Sequence, residues 1–148
     1  SMRCALFAPI VETDEHFGQM VETAIIAQWL HSNTSGLHYA AWKGGEVDIV
    51  MVGRTQKPKW VMEVKWSNQY FQHPNKLKSL VKYISENKLE RGWVTTIDEV
   101  GTQSYHSNKL YFVPAATYAY SIAKNSILER GMDTLSDIFD YLDLVNRQ

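Results

Sequence analysis

Apolar and polar residues alternate most clearly between Lys43 and Asn68. From Glu46 to Val52, the residues Val47, Ile49 and Met51 fall on one side, and Glu46, Asp48, Val50 and Val52 on the other. From Trp60 to Trp66, Glu63 and Lys65 share a side, while Met62, Val64 and Trp66 take the opposite one. The polar stretch between these runs carries Gly53 and Pro58, as a connection between strands should. The pattern predicts two neighbouring strands, with Asp48 on the first and Glu63 and Lys65 on the second. Strands this rich in valine, isoleucine and tryptophan belong in an interior, where charge is costly unless it is paired or binds a metal. The charges therefore mark a candidate site.

The same reading extends along the chain. Residues 2–13 have no clear period and contain Pro9. A helix is expected over 14–31, with Glu22 in a stripe with Gly18, Ile25, Ile26 and Trp29. Residues 32–36 read as a loop, 37–42 as a strand, and Gly44-Gly45 as a tight turn into the next strand. After Ser67 comes a loop, then a helix over 75–87 that buries Leu77, Leu80, Val81 and Ile84. Strands are expected at 91–97 and 109–113, separated by a polar loop or weak strand, and a helix at 115–128. Past Gly131 a last helix sets Leu135, Ile138, Phe139 and Leu142 against an acidic face of Asp137, Asp140 and Asp143. This order predicts an α/β or α+β domain, a mixed sheet flanked by helices.

Composition narrows the choices. The 148 residues are enough for one domain with a substantial core. A formal net charge of −1 removes any global basic field, so a nucleic-acid contact must rest on a local patch. Lys57 with Lys59, or Lys76, Lys78 and Lys82, could form one; so could Lys43, beside the first strand pair. A solvated helix face is the plainer account of the second group. Trp66, Tyr70 and Phe71 follow the charged strand and could stack on a base, although core packing is favoured. Cys4 is the sole cysteine, so no internal disulfide forms, which fits a reducing, cytoplasmic setting. No apolar run spans a bilayer and no signal-peptide pattern is present. Ser1 before Met2 reads as a remnant of tag removal and is set aside. The five histidines are scattered without ligand spacing.

Carboxylate oxygens are hard donors suited to Mg²⁺ or Mn²⁺. Glu22, Asp48 and Glu63, with the backbone carbonyl of Val64, could hold such an ion, and Lys65 would stand beside a nucleophilic water. The reaction class is metal-assisted hydrolysis of a phosphodiester. Glu-x-Lys alone is a weak pattern, since Glu86-Asn87-Lys88 repeats it. The bland reading is an ion pair of Lys65 with Glu63 or Asp48, with Glu22 a partly exposed acid at the edge of its stripe.

The chain resembles the PD-(D/E)XK nuclease superfamily, and more closely the nuclease-like C-terminal domain of a family of bacterial and archaeal AAA-type P-loop ATPases. The residues that carry this are Gly18-Gln19-Met20-Val21-Glu22, Leu37-His38-Tyr39, Gly45-Glu46-Val47-Asp48-Ile49-Val50, Met62-Glu63-Val64-Lys65-Trp66-Ser67 and Val113-Pro114-Ala115. The resemblance covers roughly residues 14–120. It implies a restriction-endonuclease-like core in a single domain over 2–148, with 131–148 a helical extension. It further implies that Asp48 and Glu63 ligate metal, that Lys65 is the catalytic lysine and that Glu22 is the helix acid. Nucleic acid, DNA in the first place, is then the expected partner, with an ATPase domain on the parent chain and a homodimer as further candidates. The last helix offers a contact for the homodimer. There is no Walker A loop in this chain. The rival expectation is a nuclease fold without activity that docks to or regulates the ATPase.

Overall fold

The computed structural model describes residues 15–32 and 35–127. The stretch 2–13, the helix expected over 131–148 and the dimer contact suggested for it lie outside the described residues. Helix α1 spans Glu15–His31, followed by strands β1 (Leu37–Trp42), β2 (Gly45–Val52) and β3 (Pro58–Glu63). A short helix α2 (Gln69–Gln72) and a 3-10 turn (Pro74–Lys76) lead into α3 (Lys78–Glu86). Strands β4 (Arg91–Thr96), β5 (Gly101–Tyr105) and β6 (Asn108–Pro114) and helix α4 (Ala115–Ile127) complete the fold.

The strands form one six-stranded mixed sheet in the order β1-β2-β3-β4-β6-β5. Local hairpins explain its antiparallel parts. β1 and β2 join through Lys43 and Gly44, whose φ of +91° suits glycine. β5 and β6 join through His106 and Ser107. The centre is parallel: β3 pairs with β4, and β4 with β6. A parallel centre has both faces covered, and the run from Gly92 to Thr96 is accordingly buried throughout.

Two cores result. On one face Ile25 and Trp29 of α1 and Tyr118 and Ile122 of α4 pack against Ile49, Met51, Trp60, Met62 and Trp93. The Trp29 indole N–H donates to the buried Tyr118 hydroxyl at 3.2 Å. On the other face Leu80 and Ile84, on one stripe of α3, and Leu77 just before it pack against Val47, Val50, Val61, Val94 and Phe112. Among the described residues no helix is long and apolar enough to cross a membrane.

Three expectations need correction. Val47 does not share a face with Ile49 and Met51; it packs with Val50 on the α3 side. The cause is a bulge: His38 lies opposite Val50 and Ala40 opposite Val47, so Asp48 and Ile49 together face Tyr39. One extra residue reverses the alternation beyond it. Second, β3 ends at Glu63, not at Trp66: it parts from β2 after Met62 and from β4 after Glu63. Third, the loop after Ser67 contains a helical turn, α2.

Candidate functional site

The site is built where the β2–β3 ladder ends. Ile49 opposite Met62 is its last pair toward the end of β3. Beyond it, the backbone N–H of Val64 donates to Asp48 Oδ2 at 2.7 Å. An amide that would have joined the ladder instead fixes a carboxylate, and the bulge at Asp48 supplies the re-aimed side chain.

On the other flank β3 leaves β4 after Glu63 pairs with Val94. Thr95, fully buried on β4, takes over. Its hydroxyl oxygen accepts from the Lys65 backbone N–H at 2.7 Å and donates to the Lys65 carbonyl at 2.8 Å. This clamp holds Lys65 just beyond the strand. Lys65 Nζ then lies 2.8 Å from Glu63 Oε1 and 3.6 Å from Asp48 Oδ2. Asp48 and Glu63 are buried, at 7% and 8% exposure, so these are interior charges. Glu63 Oε2 is buried and has no hydrogen-bond partner among the described residues.

Two carboxylates share one ammonium, and the electrostatics follow. Burial, then the neighbouring Asp48 charge, push the Glu63 carboxyl up to about 7 despite Lys65. Burial also raises Asp48, against the pull of Lys65 and the Val64 N–H. For Lys65, burial works against the charged form, but Glu63 and Asp48 outweigh it and hold the ammonium above its ordinary value. Half-buried Glu22 of α1 is raised by burial and by Asp48, and is lowered by Lys65. It therefore feels the same cluster.

Asp48, Glu63 and Lys65 thus converge. Among the described residues, however, no three or more His, Cys, Asp or Glu side chains are grouped to hold a metal ion, so Glu22 is not a third carboxylate in such a group. Val64 contributes its N–H to Asp48.

The nucleic-acid candidates separate. Lys76 and Lys78 line a groove of about 220 Å³ with Glu63, Lys65, Tyr70 and Ser79. Lys76 Nζ donates to Gln69 Oε1 at 2.8 Å, which braces it at the groove's edge. Lys43 is exposed in the β1–β2 turn and does not line this groove. Trp66 packs on Phe17, with ring centres 5.0 Å apart, and against the α1-side core. Phe71 meets Phe112 edge-on at 5.2 Å. Packing accounts for both rings.

Sequence reasoning missed Thr95. Its only signal was a pair of threonines ending an otherwise apolar strand. Comparison of the chain with protein-family models, curated proteins and solved structures finds no match.

Proposed function

We propose that this domain hydrolyses phosphodiester bonds of nucleic acid, DNA in the first place, with Mg²⁺ or Mn²⁺ as cofactor. The observation that carries this reading is Lys65 Nζ set against two buried carboxylates from adjacent strands, Glu63 and Asp48. The donor set fits a hard cation. Mg²⁺ keeps several waters and uses one or two protein carboxylates plus substrate oxygens, so Asp48 and Glu63 suffice without Glu22. The buried Glu63 Oε2, unpartnered among the described residues, is an oxygen available to a ligand. When bound, the ion supplies Lewis acidity toward a phosphoryl oxygen and acidifies water.

The chain's own residues do the rest. Lys65 Nζ offsets charge developing on the phosphoryl group and orients the attacking water. Asp48, pinned by the Val64 N–H, keeps its carboxylate in one orientation. Lys76 and Lys78 draw the phosphate backbone to the groove that ends at Glu63 and Lys65. The likeness of Glu46-Val47-Asp48 and Glu63-Val64-Lys65-Trp66-Ser67 to the PD-(D/E)XK superfamily supports the same assignment, with a restriction-endonuclease-like core, a cytoplasmic location and attachment to a AAA-type ATPase. Cleavage of plasmid and oligonucleotide DNA in Mg²⁺ or Mn²⁺ tests it. Asp48→Ala and Lys65→Ala each abolish the activity, and calorimetry shows divalent-ion binding that Asp48→Ala removes.

A second reading has one observation in its favour. Lys65 already pairs with both carboxylates, as it would in a silent nuclease fold that serves as a docking or regulatory module. Absence of both cleavage and divalent-ion binding selects it.

A further inference from the structure

A cavity of about 140 Å³ opens beside the cluster. Its walls include Ile26, Trp29, Leu30, Leu37, Tyr39 and Asp48. Three of these are large apolar side chains left open to solvent: Ile26 at 36%, Tyr39 at 58% and Leu30 at 73%. On α1, Glu22, Ile26 and Leu30 lie four residues apart on one stripe, so the helix face that carries Glu22 also builds the cavity wall.

Volume and charge select the occupant. An apolar cavity of about 150 Å³ holds one benzene-sized ring, whereas pockets for larger organic ligands begin near ~300 Å³. Carboxylates gather around this cavity, with the His38 imidazole as a further polar group in the wall. Asp48 is in the wall, Glu46 accepts a hydrogen bond from the Tyr39 hydroxyl, and Glu22 is close enough to feel Asp48. A phosphate is repelled there and a neutral ring is admitted. The second groove has the opposite character, with Lys65, Lys76 and Lys78 in its lining. The cavity lies on the α1 side of the sheet and the groove on the α3 side, and Asp48 of the one pairs with Lys65 of the other at 3.6 Å where β2 and β3 part. A molecule that suits both carries flat neutral rings on a polyanionic backbone.

We infer that this cavity is a nucleobase subsite: it receives one unpaired base of the strand whose phosphates lie along the Lys65–Lys76–Lys78 groove. The inference rests on the phosphodiesterase reading and narrows its substrate to single strands or unpaired ends.

Binding without metal tests the subsite apart from hydrolysis. Fluorescence anisotropy in EDTA compares a labelled oligothymidylate with an abasic deoxyribose-phosphate oligomer of equal length and charge. The thymidylate binds roughly tenfold more tightly or better. Leu30→Trp fills the mouth of the cavity at an exposed position and lowers thymidylate affinity toward that of the abasic strand. Equal affinities for the two strands, or no effect of Leu30→Trp in a variant whose melting is unchanged, overturn the subsite. Saturable binding of N-acetyltryptophanamide with no preference for thymidylate overturns it too, and assigns the cavity to a protein side chain. Because no divalent ion is present, loss of cleavage in Asp48→Ala bears on hydrolysis alone.

Discussion

Glu63 carries the most informative single charge in the molecule. Its pairing with Lys65 was legible in the sequence from the two-residue spacing, although Lys65 lies just past the end of β3 and is held there by Thr95. Its titration was not legible, because it depends on burial and on a second acid brought in from β2. The folded value of about 7 stands above the ordinary 4.5. The protonated form is therefore favoured by folding, and the stability it contributes is complete below 4.5 and lost as pH rises through about 7. Urea unfolding at pH 5, 6.5 and 8 should show wild-type stability falling across this window by on the order of 2 kcal/mol. In Glu63→Gln, where position 63 no longer titrates, that slope should flatten. Equal slopes in the two proteins would mean that Glu63 titrates near its ordinary value.

At the scale of elements, the longer strands and helices followed from periodicity, but α2 and the devices that aim the site did not. A bulge is visible only in the pairing of two strands, and the single-strand pattern of β2 reads as unbroken alternation. The end of β3 is likewise set by partners: Asp48 accepts one amide, and Thr95 binds both backbone groups of Lys65. Thr95→Val keeps the shape and removes the hydroxyl, leaving the Lys65 N–H and carbonyl without the bonds that Thr95 provides. Each lost partner at such a site costs about 1–3 kcal/mol, so thermal unfolding should shift down measurably. On the proposed reading, cleavage falls as well, because Lys65 is no longer held beside Glu63. Thr95→Ser restores the hydroxyl and should recover most of both. Loss of stability with unchanged cleavage would show that the clamp supports the fold without positioning the lysine.

Over the whole molecule, the sheet order brings together what the chain separates. The mixed sheet with flanking helices was legible from the order of elements. The neighbour relations β4-β6-β5 were not, because nothing local says that the last strand enters beside β4. Helix α3 ties this central sheet to the lysine groove: Leu80 and Ile84 pack on the sheet, while Lys78 at its start lines the groove. Its seat depends on Gly92 of β4. A Cβ there would come within 2.5 Å of Ile84 Cδ1 and 3.4 Å of Leu80 Cδ1, and Ile84 is fully buried with no room to retreat. Gly92→Ala should therefore destabilise by about 1–3 kcal/mol through overpacking. Ile84→Val deletes the clashing methyl and alone costs about 0.5–1.5 kcal/mol. Combined, the two changes should cost clearly less than their sum, since the new methyl fills the space that the deleted one leaves. A double-mutant cycle in urea measures this coupling. Strict additivity would place the strain of Gly92→Ala somewhere other than the α3–β4 contact, and would detach the lysine groove from the central strand that this packing joins to it.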